Sequence, residues 1–227
     1  MSVPTPGSRP ATARREARFR YRAVFVVVLT LLVFQVLAPD SDWARAIAVA
    51  LAGAALTIVV ATSRERGEVR RFRAAVVSIA AAVVVIGIAA GFISAEVAFL
   101  IGTLIAATIP VALAGGLLRL IRDEGVTAQA VAGALTIYLL LGLLFASAIS
   151  FVAKVQGGSY FAQTSQVSNG DRVYYSFTVL TTTGFGDYTA AKPLGHALAV
   201  LEMLVGQLYL VTVIGILVGN FAGQRRR

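Results

Sequence analysis

The stretch Thr181–Tyr188, TTTGFGDY, decides the fold. It sets three threonines, two glycines and an aspartate between two of the most apolar segments of the chain. It is too polar to cross a bilayer and too short to form a domain. The residues just before it, Ser168–Leu180 (SNGDRVYYSFTVL), read as a short helix capped by Asn169 or Asp171, with Val173–Thr182 apolar enough to be buried. Two to three helical turns reach only about 15 Å, half of the roughly 30 Å hydrocarbon core of a bilayer. Such a helix must enter and return on one side, with TTGFG as the returning segment. Non-helical backbone at membrane depth persists only where it is buried in protein or lines a water-filled cavity. Its carbonyl groups therefore need a polar target, and an ion meets that need.

The rest of the chain agrees with a membrane setting. Of 227 residues, 58% are hydrophobic and 14% charged, against about 45–50% and about 25% in soluble domains. With no cysteine there are no disulfides or thiolate metal sites, and the single histidine, His196, excludes a histidine-rich metal cluster. The net charge of +9 would fit nucleic acid, but the arginines lie outside the apolar runs, where they anchor a membrane protein instead. Nucleic acid is not an expected partner.

Six apolar runs stand near the roughly 20 residues a spanning helix needs: Ala23–Ala38, Trp43–Ala61, Ala74–Ile93, Val97–Ile121, Thr127–Val155 and Leu194–Phe221. Arginines crowd residues 9–22, 64–73, 119–122 and 225–227, while the alternate loops hold only Arg45, Lys154, Arg172 and Lys192. The positive-inside rule then makes the arginine-rich side cytoplasmic and puts both termini there, in a multi-pass cell-membrane protein. Anionic lipid headgroups would meet that basic face. Three parts follow: a basic disordered tail over 1–21, a four-helix transmembrane domain over 22–122, and a pore domain over 123–227. In the second, small residues such as Ala50–Leu56 let helices approach closely, and Pro110 with Gly115 and Gly116 is expected to bend span four.

YYSFTVLTTTGFGD resembles the pore helix and selectivity filter of the potassium channel family, whose filter reads T-V-G-Y-G. The resemblance covers roughly the last hundred residues. It implies an all-α membrane protein with six transmembrane helices and a re-entrant pore helix and filter loop between the last two. It also implies a homotetramer, since one chain carries one filter and a closed filter needs four. The filter would be Thr182, Thr183, Gly184, Phe185 and Gly186, with K⁺ bound at Thr182, Thr183, Gly184 and Phe185 by carbonyl oxygens that replace its hydration shell. The glycines would keep those carbonyls on one axis, where a side chain would clash. Thr181, Thr178, Tyr174, Tyr175 and Asp187 would support the filter from behind and at its outer mouth, and Gly206 falls where relatives carry an inner-helix hinge. Two departures stand out: Thr183 replaces valine, and Phe185 replaces the tyrosine whose hydroxyl braces the filter. A less rigid filter that inactivates more readily is the expectation. The function implied is passive potassium conduction, with no enzymatic chemistry and no cofactor beyond permeant K⁺.

Other readings use the same residues. A poorly selective cation channel would follow if Thr183 alters the filter's packing, and a non-conducting regulatory subunit is a further alternative. Gly184–Asp187 also fits the GxGD signature of intramembrane aspartyl proteases, but that chemistry needs a second aspartate in a span, and Asp40, Asp42, Asp123 and Asp171 all fall in loops. Glu202 is the one carboxyl inside a predicted span. It is either a pH sensor or cation-attracting ring near the cavity, or a group bonded to Thr178, Thr181 or the backbone behind the filter. Gln35, Gln207 and Tyr209 are expected to hydrogen-bond between helices, and His196 to cap the outer end of span six. Span four carries only Arg119 and Arg122, at its cytoplasmic end, so steep voltage dependence is not expected.

Overall fold

The computed structural model describes residues 11–39, 41, 47, 51, 110, 113–118, 120–122 and 125–224. Among them the fold is helical, with one isolated antiparallel bridge between Phe161 and Ala190. Apart from residues 47 and 51, expected spans two and three, the loop between them and most of span four lie outside the described residues; Pro110 is helical, and Gly115 and Gly116 sit in a helical stretch.

Helix α1 is Ala11–Leu37. It begins inside the segment expected to be a disordered tail. Beyond Pro10 that segment is rich in alanine and arginine, both strong helix formers. Its apolar part, Tyr21–Leu37, corresponds to expected span one.

Helix α2, Ala128–Val155, is long enough to cross a membrane and lies within one residue of expected span five. Thr127 caps it by accepting from Ala130 N at 3.3 Å. Past its end, Gly157 takes φ +61°, the left-handed conformation that ends a helix. Inside, Thr136, Ser147 and Ser150 donate to carbonyls one turn back, so none brings an unpaired hydroxyl into an apolar setting.

Helix α3, Asn169–Leu180, is the short helix expected before the filter. Its cap is Ser168 rather than Asn169 or Asp171. Ser168 accepts from Asp171 N at 3.0 Å, and the Asp171 carboxylate returns the contact to Ser168 N at 2.9 Å. The cap moves to Ser168 because a hydroxyl before the first turn and a carboxylate three residues on satisfy each other's neighbouring N–H groups. Burial pushes the Asp171 carboxyl up, but hydrogen bonds from Ser168 and Tyr188 and the charge of Arg172 more than offset it, leaving it below the usual carboxylate range.

Helix α4, Pro193–Leu208, opens with proline in its first turn, where the missing N–H costs nothing. It runs into a π-helical segment, Tyr209–Ile214, and then helix α5, Gly215–Gln224. Together Pro193–Gly219 form the second helix long and apolar enough to span.

Three apolar clusters hold these pieces together. Tyr21, Val24 and Val28 of α1 meet Ala130, Ala134 and Ile137 of α2, with Leu113, Leu117 and Leu217. Ile149 and Val152 of α2 meet Tyr160, Phe161, Tyr175, Val179 and Ala199 near the loop that follows α2. Tyr138, Phe145 and Leu180 join α2 to the end of α3. Helix α1 also reaches α3. Asn169 donates to Gln35 Oε1 at 3.1 Å, and Gly170 lies so close to Val36 that a Cβ there would sit 2.7 Å from its carbonyl oxygen. Gln35 thus bonds between helices, as expected. The burial of the two long helices differs: the chain buries 56% of the best apolar window of α2 but 17% of that of Pro193–Gly219. The chain therefore leaves most of its last long helix for other apolar surroundings.

Candidate functional site

The site is built where α3 stops. Thr181 closes the helix in the αR region, with its hydroxyl donating to Phe177 O at 2.6 Å. The backbone then turns back on α3: Thr182 N donates to Val179 O at 2.9 Å, and Thr183 N and Gly184 N both donate to Thr178 O, at 2.9 and 3.1 Å. The Thr178 carbonyl thus anchors the start of the expected filter. The Thr178 hydroxyl stays within its own helix, donating to Tyr175 O at 2.8 Å. The hydroxyls of Thr181 and Thr183 lie 2.9 Å apart.

Beyond that anchor, φ is positive at every second residue: +58° at Thr182, +52° at Gly184 and +82° at Gly186. In an extended strand successive carbonyls point to opposite sides. Alternating left-handed residues with ordinary ones cancels that reversal, so consecutive carbonyl oxygens can face one way. Thr182 is the only non-glycine with positive φ among the described residues. For a β-branched residue this conformation costs on the order of 1–3 kcal/mol. A Cβ added at Gly184 or Gly186 would meet nothing within 4 Å in this chain. Their need for glycine therefore comes from φ, not from a clash within the subunit. Residues 181–187 are all exposed in the single chain.

The outer end is braced by aromatic groups and by a loop. The rings of Tyr174 and Phe185 are parallel, 6.3 Å between centroids. The Tyr174 hydroxyl bonds the Asp187 carboxylate, which raises the tyrosine pKa, and Asp187 Oδ1 also accepts from Tyr188 N at 3.1 Å. Tyr175 packs edge-on against Tyr160 and Phe161. The loop after α2 is tied to the segment after the filter. Ala162 N donates to Thr189 O and Ala191 N to Tyr160 O, while the Gln163 amide both donates to the Thr189 hydroxyl and accepts from Thr189 N. His196 lies one turn into α4 and bonds Ala190 O at 2.7 Å. The loop residues Phe161, Gln163 and Thr189 went unmarked in the sequence reading; their one legible signal is the aromatic pair Tyr160–Phe161 in a polar loop.

Behind the filter, α4 touches α3 at two points one turn apart. Glu202 is fully buried and its Oε1 lies 2.5 Å from Ser176 Oγ, which in turn donates to Gly142 O of α2 at 2.7 Å. Its partner is thus Ser176, not Thr178, Thr181 or a backbone group, and its burial inside the subunit is not the position of a cation-attracting ring on the exposed face. One turn on, Gly206 lies against Leu180 so tightly that an added Cβ would be 2.1 Å from its carbonyl oxygen. Close approach is what Gly206 provides here, and the departure from α-helical bonding begins three residues later, at Tyr209. Tyr209 donates to Ala134 O at 2.8 Å and Tyr138 to Leu180 O at 3.2 Å, so both link helices. Gln207 is exposed. Ser176 was missed, although its spacing to Leu180 matches that of Glu202 to Gly206, four residues in each.

A short capped helix, an anchored loop and two helices long and apolar enough to cross a membrane make up this part of the chain. Asp187 bonds Tyr174 and Tyr188, and neither long apolar helix contains an aspartate. Residues 133–222 match the family model described as an ion channel, and that segment of the chain is similar to ion channels. The match takes in nearly all of α2, then α3, the filter loop, α4, the π segment and most of α5. No curated protein and no solved structure matches the chain.

Proposed function

We propose that the chain is one subunit of a homotetrameric potassium channel that conducts K⁺ passively. The observation that carries this reading is the left-handed φ at Thr182, Gly184 and Gly186, directly after a short helix anchored through Thr178 O. Carbonyls of Thr182, Thr183, Gly184 and Phe185, repeated around a fourfold axis, would replace the water around a permeating cation. The C-terminal end of α3 would add about half a negative charge facing that ion. In this reading α3 and the loop re-enter the membrane from outside between α2 and α4, and six spans place both termini in the cytoplasm. The exposed apolar face of α4, with Val200, Leu201, Leu204 and Leu208, fits the packing of neighbouring subunits.

Flux of K⁺ against Na⁺ through the full chain in liposomes tests this. Selective K⁺ flux lost in Gly184→Ala is the expected result. A reversal potential unmoved by exchanging Na⁺ for K⁺ would favour the poorly selective channel, the reading in which Thr183 alters the filter's packing. Gating charge should be small, and charge movement as steep as that of a sensor-bearing channel would contradict that part of the reading.

A further inference from the structure

We propose that Glu202, Ser176 and the Gly142 carbonyl form a buried pin joining α4, α3 and α2, and that Glu202 holds it together by supplying a proton. The pin positions the helix that carries the filter. A serine hydroxyl has one proton and two lone pairs, and a peptide carbonyl can only accept. Ser176 Oγ lies 2.7 Å from Gly142 O and 2.5 Å from Glu202 Oε1, both hydrogen-bond distances. Its one proton can serve only one of them. If Ser176 donates to Gly142, the second contact is a bond only when the Glu202 carboxyl donates to Ser176. If Glu202 is a carboxylate, one of the two contacts becomes a bare approach of oxygen to oxygen.

The surroundings agree. Glu202 is wholly buried, and its Oε2 has no hydrogen-bond partner. A carboxylate left so is strongly disfavoured, whereas the carbonyl oxygen of a neutral acid is far less so. The titratable groups that face it are tyrosines: Tyr138 from α2, Tyr175 from α3 and Tyr160 from the loop after α2. No cation among the described residues acts on it. The chain Glu202 O–H to Ser176 O–H to Gly142 O=C is therefore the arrangement in which every short contact is a bond. Losing the proton would break one link of the pin and set a charge against the middle of α3. The helix would then loosen from α4, one turn above the Gly206–Leu180 contact and two residues before the Thr178 carbonyl that anchors the filter.

The consequence for the pore rests on the function proposed above, so the test has a readout independent of conduction. Infrared spectroscopy of the full-length protein at neutral pH should show the carbonyl stretch of a protonated carboxyl group that is missing in Glu202→Gln. Above the titration point the protonated fraction falls about tenfold per pH unit, and K⁺ flux in liposomes should fall with the band. Glu202→Gln, whose amide can donate to Ser176, should conduct with a flat pH profile over the same range. A spectrum with no such band at neutral pH, or one unchanged by Glu202→Gln, overturns the pin. So do identical pH profiles in the two proteins. If Glu202→Gln does not fold, Ser176→Ala removes the acceptor of the acid proton and should shift the band; an unshifted band overturns the proposal. A band that behaves as stated in a protein that passes no K⁺ supports the pin and overturns the pore reading.

Discussion

Gly206→Ala adds one carbon atom at the tightest contact between α4 and α3, and two effects of opposite sign compete there. Alanine is favoured over glycine inside a helix by about 0.8–1 kcal/mol. Against this, the new Cβ would lie 2.1 Å from Leu180 O and 2.9 Å from Leu180 Cδ1, the first a backbone atom that cannot rotate away. Tyr138 donates to that same carbonyl at 3.2 Å, so moving Leu180 also disturbs a buried hydrogen bond. Overpacking of this kind costs about 1–3 kcal/mol and occasionally more, and the backbone target puts it at the upper end. The clash outweighs the helix preference by about 1–2 kcal/mol, which lowers the melting temperature on the order of 5 °C. Thermal unfolding of the purified protein followed by circular dichroism measures it. Gly115→Ala is the control, because its added Cβ meets nothing within 4 Å and only the helix preference acts. A Gly206→Ala protein melting at or above the parent would refute the close approach and return Gly206 to the role of a hinge.

Four further outcomes are expected. Ser168→Ala should destabilise by about 1 kcal/mol through loss of the cap on α3. The Asp171 carboxyl, held below its usual range in the folded protein, stabilises above its unfolded value of about 4 and loses that contribution as pH falls through the folded value. Acid melts should therefore be steeper for the parent than for Asp171→Asn, and parallel curves would count against the capping box. Gln35→Ala and Asn169→Ala, alone and combined, should show a coupling of about 0.5–1.5 kcal/mol in a double-mutant cycle on stability, tying α1 to α3. Gly186→Ala should cut K⁺ flux while leaving the helix content unchanged, because the left-handed φ of +82° and not space sets the requirement.

Helix α2 was legible almost to the residue, because a long apolar run between a threonine cap and a pair of glycines leaves little choice of boundary. The short α3 was legible from the polar residues before and after it, yet its cap was placed one to three residues late. Both Asn169 and Asp171 are good cap residues in isolation, and only the reciprocal bonds with Ser168 decide between them. The left-handed backbone at Gly184 and Gly186 was legible from the glycines themselves, and the left-handed Thr182 was not, since nothing local favours that conformation in threonine. The partner of Glu202 depends on how α2, α3 and α4 cross, and sequence spacing alone could rank Ser176 no higher than Thr178 or Thr181. The tie between Gln163 and Thr189 joins two polar loops with no periodicity to mark it.

The bridge between Phe161 and Ala190 closes the chain on itself before and after the filter. Helix α3 and the filter loop thus hang inside a clasped ring, fastened where the polypeptide leaves α2 and where it rejoins α4. Tension arriving along either long helix meets the clasp before it meets the left-handed loop after α3, much as a lanyard takes load off the object it carries. Motion of the last helix beyond the π turns at Tyr209 can then proceed with the loop after α3 still tethered.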